Sequence, residues 1–113
     1  MDSDRAKELL SAERARIEEA LERLGSEDDG ELTHLDQHPA DTGTEMFEQE
    51  RDAGLAGSLR QELGAVERAE QRLAEGTYGQ SVESGEPIPD ARLEVMPHAE
   101  RTADEQGRLE RTR

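Results

Sequence analysis

The chain has 113 residues, and its 29 Asp and Glu against 14 Lys and Arg give a formal net charge of -15 at pH 7. Only 18 residues are Leu, Val, Ile or Phe, which excludes a thick globular core and limits the chain to one small domain. The absence of Cys excludes disulfides and thiolate metal sites. No apolar run approaches the length of a membrane span or of a signal-peptide core, so the protein is expected in the cytoplasm. The negative charge favours protein partners over DNA.

The N-terminal segment, residues 3–24, is predicted to form a helix of about six turns. Leu10, Ile17 and Leu24 recur every seven residues, a spacing that favours a narrow apolar seam against a second helix. Acidic and hydroxyl side chains at the start suit the unpaired N–H groups of a helix N-terminus. Gly25 is predicted to end the helix.

A longer second helix is predicted from about Thr44 to Glu75. Its apolar residues at spacings of three, four and seven are Leu55, Leu59, Leu63, Val66 and Leu73. Thr42 and Glu45 form a capping-box pair, and Gly76 stands where a C-terminal helix glycine is expected. Gly54, Gly57 and Gly64 either cost about 1 kcal/mol each or permit close helix approach or bending. Because neither helix can bury its stripe alone, the two are expected to form an antiparallel hairpin.

The connection between the helices, residues 25–41, is predicted to be an acidic loop at the tip of this hairpin. Nine acids and no Lys or Arg lie between Arg23 and Arg51. A salt-rich host or host composition explains the overall acidity, but the local pattern favours a tip that meets a basic surface or bound cations.

After the second helix, residues 76–113 are predicted to form a small turn-rich knob and a short terminal helix, from about Ala99 to Arg113, with Leu109 as its apolar anchor. The knob is either partly disordered or held on the hairpin base by packing residues. Those residues are Tyr78, Val82, Ile88, Leu93 and Met96.

The knob carries a family resemblance. Residues 76–93, GTYGQSVESGEPIPDARL, and the Pro-His-Ala step at 97–99 resemble the zinc finger of the DksA/TraR family of RNA-polymerase-binding regulators. The stretch from His38 to Glu45, followed by Phe47-Glu48 and Arg51-Asp52, resembles the stretch at the junction of the tip and the second helix in DksA-like proteins, where the family pattern ends in Glu-Arg-x-x-Asp. In register, the family's four cysteine positions hold Ser81, Ser84, Thr102 and Glu105, so the chain resembles a cysteine-free variant.

The resemblance implies an all-α fold with two regions. Residues 1–75 are expected to form an antiparallel two-helix coiled-coil hairpin with an acidic tip at about 25–43. Residues 76–113 are expected to form a zinc-finger-like knob that lacks zinc ligands, with a short terminal helix and with Arg92 and Leu93 positioning the knob against the hairpin base.

The resemblance also implies a function: a transcription regulator that enters the secondary channel of RNA polymerase with its acidic tip and does not bind promoter DNA. The candidate partner-binding residues are Asp36, His38, Asp41, Thr42 and Glu45. Asp41 matches the second acid of the family tip, whereas His38 and Gly43 depart from it. Asp41 is also placed to cap the second helix. The alternative is a coiled-coil interaction or stress protein that kept the scaffold and lost polymerase activity.

Metal sites and catalysis are not predicted. Ser and Thr hydroxyls bind zinc poorly, and Glu105 with His98 would supply only two donors. His34 and His38, four residues apart and near Asp36 and Asp41, are the alternative metal site, but Pro39 favours a solvated loop. The same acids are too loosely placed for the paired magnesium ligands of transcript-cleavage factors. The sequence therefore predicts no enzyme and no cofactor, and nothing in it assigns a response to the alarmone ppGpp.

Overall fold

The computed structural model describes residues 1–34 and 42–112, with side chains for residues 1–25 and 51–112. Its helices are α1 (Ser3–His34), α2 (Thr42–Glu75), α3 (Asp90–Val95) and α4 (Ala103–Arg111). These described ranges contain no strand, only an isolated antiparallel bridge between Gln80 and Pro87. The protein is all-α, an antiparallel two-helix hairpin with a small C-terminal knob and a short terminal helix, as predicted.

Two compact packing units divide the chain. One comprises Met1–Arg14 and Gly64–Arg113, and the other comprises Ala15–Leu63. The knob therefore packs in the same unit as the first turns of α1 and the last turns of α2. The division predicted from the sequence, 1–75 and 76–113, separates motifs rather than packing units and stays a prediction.

In the first unit, α1 and α2 bury a seam of mostly small side chains. Ala6 and Leu10 of α1 are buried, as are Ala65, Val66 and Ala69 of α2. Alanine at three of these five places lets a narrow stripe exclude water with few large side chains, which is how a chain this poor in apolar residues forms a helix pair.

A charged contact flanks this seam. Arg14 donates two hydrogen bonds to the Glu70 carboxylate, from Nε to Oε2 at 3.2 Å and from Nη2 to Oε1 at 2.6 Å. Such paired geometry fixes the guanidinium against the carboxylate and so helps set the register of α1 on α2.

In the second unit, among the side chains that the structure describes, Ile17 is the largest that is buried, and it is fully buried. Leu24, Leu59 and Leu63 are half-buried, while Leu55 is 45% exposed. The predicted stripe is therefore buried most completely at Ile17 in this unit and at Leu10 and Val66 in the first unit, and only partly at its other members. Arg16 and Glu62 form an ion pair across the helices, 3.2 Å from Nη2 to Oε2.

The start of α1 agrees with the sequence and its end does not. The Asp2 carboxylate accepts a hydrogen bond from the Asp4 N–H at 2.8 Å, and the Asp2 carbonyl accepts from Ala6 at 3.0 Å, which is helix capping. The prediction that Gly25 ends the helix is wrong, because α1 continues to His34. A helix-interior glycine costs only about 1 kcal/mol, too little to stop a long helix that neighbouring turns support.

The end of α2 is a glycine cap, as predicted. Gly76 has φ +82°, its N–H donates to the Leu73 carbonyl at 3.3 Å, and the Thr77 N–H donates to the Arg72 carbonyl at 2.9 Å. This bonding pattern is a Schellman motif, and the positive φ explains why glycine stands there.

The other end of α2 and its interior glycines refine the prediction. The helix begins at Thr42, two residues earlier than expected. A Cβ built at Gly54 or Gly57 would meet nothing within 4 Å, so these two glycines are not points of close helix approach.

No helix of the described residues is long and apolar enough to cross a membrane.

Candidate functional site

The C-terminal knob, called the finger from here on and described over residues 76–112, is organised by a small apolar cluster. Ile88, Leu93 and Ala99 are buried together, and Met1 and Tyr78 pack against them. The Tyr78 hydroxyl donates to the Pro97 carbonyl at 2.8 Å, and burial raises the pKa of Tyr78 above its usual value. Three of the five predicted packing residues, Tyr78, Ile88 and Leu93, therefore take part in this cluster.

Two predicted packing residues do not. Val82 is 47% exposed and Met96 is 40% exposed. Arg92 was expected to act against the hairpin base, but its Nε donates to the Arg101 carbonyl at 3.0 Å, within the finger. Leu109 is half-buried in α4.

Ion pairs that the sequence analysis missed attach the finger to the helices. Arg68 of α2 donates two hydrogen bonds of 3.0 Å to the Glu100 carboxylate, and Arg72 lies 3.4 Å from it. The hydrogen bonds from Arg68 lower the pKa of Glu100 despite partial burial. Arg5 of α1 makes a second paired contact, with Glu94 of α3, at 3.2 and 2.8 Å. Acids and arginines abound in this sequence, so no pattern marked these pairs.

Two of the four positions in register with the family's cysteines, Ser81 and Ser84, lie on the turn at residues 81–84. The Ser81 hydroxyl oxygen accepts hydrogen bonds from the backbone N–H of Glu83 at 3.1 Å and of Ser84 at 3.3 Å. The Ser84 hydroxyl oxygen accepts from the Glu86 N–H at 3.2 Å. Gly85 closes the turn with φ +78° and donates to the Ser81 carbonyl at 2.9 Å. Both serines therefore hold the turn through their oxygens and keep their hydroxyl protons for another acceptor.

The other two positions form the start of α4. Thr102 and Glu105 make a reciprocal capping box: the Glu105 N–H donates to the Thr102 hydroxyl oxygen at 3.3 Å, and the Thr102 N–H donates to Glu105 Oε1 at 2.9 Å. Glu105 is only 4% exposed, although glutamate is seldom buried. The Thr-x-x-Glu spacing is the sequence signal that could have located this pair.

The Glu105 carboxylate has a low pKa. It accepts a hydrogen bond from the backbone N–H of Thr102 at 2.9 Å. The effect of the nearby hydroxyls of Ser81 and Ser84, followed by that of the Thr102 N–H, lowers the pKa of Glu105 from 4.5 to about 2.

These residues do not fit zinc. A structural zinc site uses four thiolate or imidazole donors, whereas Ser81, Ser84 and Thr102 offer hydroxyls that stay protonated near neutral pH. The single carboxylate is already engaged as an acceptor. Among residues 1–25 and 51–112, whose side chains the structure describes, no group of three or more His, Asp or Glu is arranged to hold a metal ion.

The predicted tip residues are not assembled into a site by the described part of the chain. Asp36, His38 and Asp41 lie outside it, and for Thr42 and Glu45 it gives only their place in the first turn of α2. His34, expected in a loop, is the last residue of α1. The alternative metal site, in which His34 pairs with His38, involves a residue outside the described part of the chain.

A two-helix hairpin that carries a small finger on its base is a distinct class of helical protein, and comparisons with known proteins agree with it. Residues 82–111 match the family described as the prokaryotic dksA/traR C4-type zinc finger. Transcription factor DksA2 from Pseudomonas aeruginosa has a similar structure, with a TM-score of 0.78 and 28% identity over 97% of this chain and 84% of that one. These matches support a relationship of the chain to the DksA/TraR family.

Two Bacillus subtilis proteins are similar in sequence. General stress protein 16O is 36% identical over 101 residues, which are 89% of this chain and 60% of that protein. The uncharacterized protein YteA is 40% identical over 75 residues, which are 66% of this chain and 31% of that protein. The chain thus spans less than two thirds of the length of these curated relatives.

Proposed function

We propose that the protein is a transcription regulator that binds RNA polymerase through the secondary channel with its acidic hairpin tip. The observation that supports this most directly is the structural similarity to the transcription factor DksA2, which extends over 97% of the chain and so includes the hairpin as well as the finger. On this proposal the protein acts in the cytoplasm, where polymerase is, and is a regulator rather than an enzyme.

The charge pattern supports an electrostatic role for the tip. Nine acids and no base lie between Arg23 and Arg51, whereas on the described helices acids and arginines pair with each other. Acids without local counter-charges steer association with a basic partner and fix its register. The same charge repels the phosphates of promoter DNA. The residues proposed to contact the partner are Asp36, His38, Asp41, Thr42 and Glu45.

The test is binding and transcription with the full chain and purified core RNA polymerase. We expect capture of polymerase that weakens as salt rises, and a change in open-complex lifetime at a test promoter. Asp41→Asn removes one tip charge and is expected to abolish the transcription effect. Glu22→Gln, which makes the same charge change at an exposed position of α1, is the matched control and should leave it unchanged.

The outcomes separate the proposal from its alternative. Failure of the unaltered chain to bind polymerase would reject the proposal. Equal transcription effects of the unaltered chain and Asp41→Asn would reject the assigned tip residue. The alternative, a coiled-coil interaction or stress protein that kept the scaffold without polymerase activity, draws support from the similarity to general stress protein 16O.

A further inference from the structure

Several parts of the finger meet at a short segment between α3 and α4, at Glu100 and Arg101. The Glu100 carbonyl accepts a hydrogen bond from the Val82 N–H at 2.8 Å, which joins this segment to the turn at residues 81–84. The Arg101 carbonyl accepts a hydrogen bond from Arg92 Nε at 3.0 Å, which joins the segment to α3. The backbone of these two residues therefore holds the turn and α3 together.

The Glu100 side chain extends this junction to α2. Its carboxylate accepts two hydrogen bonds from Arg68, from Nε to Oε2 and from Nη2 to Oε1, both at 3.0 Å. Arg72, one helical turn further along α2, lies 3.4 Å from Oε2. Such a two-bond contact fixes the carboxylate in one orientation on the helix. Glu100 thus bonds to the turn with its backbone and to α2 with its side chain.

The apolar cluster of the finger lies largely within the finger. It consists of the finger's own residues, joined by the side chain of Met1. Apart from the glycine cap at residues 76–77, the hydrogen bonds that the structure describes between the finger and α2 are those of Glu100. The attachment of the finger to α2 therefore depends on a charged contact.

We propose that Glu100 is an ionic latch, which fastens the finger to α2 through its carboxylate and keeps the turn at residues 81–84 in place through its carbonyl, so that the order of the turn responds to ionic strength. The Arg68 side chain is 58% exposed, so dissolved ions reach this end of the contact and screen it. Screening frees the Glu100 side chain. The carbonyl that holds Val82 belongs to the same residue and loosens with it.

A second two-bond ion pair between the finger and the hairpin base supplies matched controls. Arg5 of α1 donates to Glu94 of α3 at 3.2 and 2.8 Å, and both side chains are exposed. The described contacts of these two residues include no hydrogen bond to the turn at residues 81–84. Loss of the Arg5–Glu94 pair therefore removes the same kind of contact without affecting the carbonyl that holds Val82.

The first experiment measures hydrogen exchange at the Val82 amide of the full chain at about 0.1 M and about 1 M sodium chloride. We expect exchange in the unaltered chain to accelerate at least about fivefold with salt. Glu100→Gln should exchange fast at both salt concentrations and change by less than about twofold, whereas Glu94→Gln should keep the salt response. A salt response of equal size in the unaltered chain and in Glu100→Gln would overturn the proposal.

The second experiment acts from the α2 side and does not require Glu100→Gln to fold. Arg68 is exposed on α2, and Arg68→Gln should accelerate Val82 exchange at low salt by at least about threefold, whereas Arg5→Gln should leave it within about 1.5-fold. The double variant Arg68→Gln, Glu100→Gln should exchange no more than about twofold faster than Glu100→Gln, because both changes remove one contact. Equal effects of Arg68→Gln and Arg5→Gln, or single effects that multiply in the double variant, would overturn the proposal.

Discussion

Truncation of Ile17 tests whether the helix seam is the main source of stability in the hairpin. Ile17 is fully buried, and its replacement by alanine removes three carbon atoms from that site. At about 0.8 kcal/mol per buried methylene the loss of burial alone is about 2.4 kcal/mol, and incomplete collapse around the cavity adds to it. We expect Ile17→Ala to lower the free energy of unfolding by about 2–4 kcal/mol, a large share for a domain of this size.

The measurement is urea unfolding and thermal melting followed by helical circular dichroism. At about 4–8 °C per kcal/mol for a small domain, the melting temperature should fall by roughly 10–25 °C. Leu55→Ala in α2 also removes three carbons, but from a side chain that is 45% exposed, and should cost under about 1 kcal/mol. Similar melting temperatures for the two variants would refute the claim that the seam at Ile17 is a core.

Three further predictions concern the finger and the helix ends. The pKa of Glu105 is lowered from 4.5 to about 2, so its contribution to stability is complete above pH 4.5 and is lost as the pH falls towards 2. In urea titrations, the difference in unfolding free energy between the unaltered chain and Glu105→Gln should therefore shrink over that pH range. A difference that does not depend on pH would contradict this prediction. A chelator should leave the melting curve of the purified chain unchanged, and a chelator-dependent fall would indicate a structural metal. Gly25 lies inside α1 with open space around an added Cβ, so Gly25→Ala should raise the free energy of unfolding by about 0.5–1 kcal/mol. Gly76 has φ +82°, so Gly76→Ala should lower the free energy of unfolding by about 1 kcal/mol. Effects of the same sign in urea unfolding would refute the assigned helix boundaries.

The parts of the fold that could be predicted from the sequence were those determined by local patterns of residues. The seven-residue spacing identified the apolar stripe whose members Leu10 and Ile17 are buried, and the glycine after Glu75 identified the end of α2. The end of α1 could not be predicted from Gly25, because a local cost of about 1 kcal/mol competes with support from the rest of a long helix. The short α3 was missed because six residues after a proline carry too little periodicity to distinguish a helix from a turn.

The finger shows a different limit of sequence reasoning. The resemblance placed Ser81 and Glu105 at two of the family's cysteine positions, and both residues are buried. It could not indicate that a glutamate would be buried, because the burial of a charged side chain depends on the contacts that the folded finger makes around it. Val82 and Met96 were assigned to the core by residue type alone and are exposed, because type does not fix which side of a turn a side chain takes.

The hydrogen bond that joins the two halves of the finger also bears on how quickly a newly made chain matures. The Val82 N–H donates to the Glu100 carbonyl at 2.8 Å, and these two residues are only 18 positions apart in sequence. Loops of about ten residues close in roughly 10–100 ns, so the encounter of the two halves is fast and independent of concentration. The finger can therefore be completed at the folding rate of the chain itself, with no waiting time set by the supply of a second component.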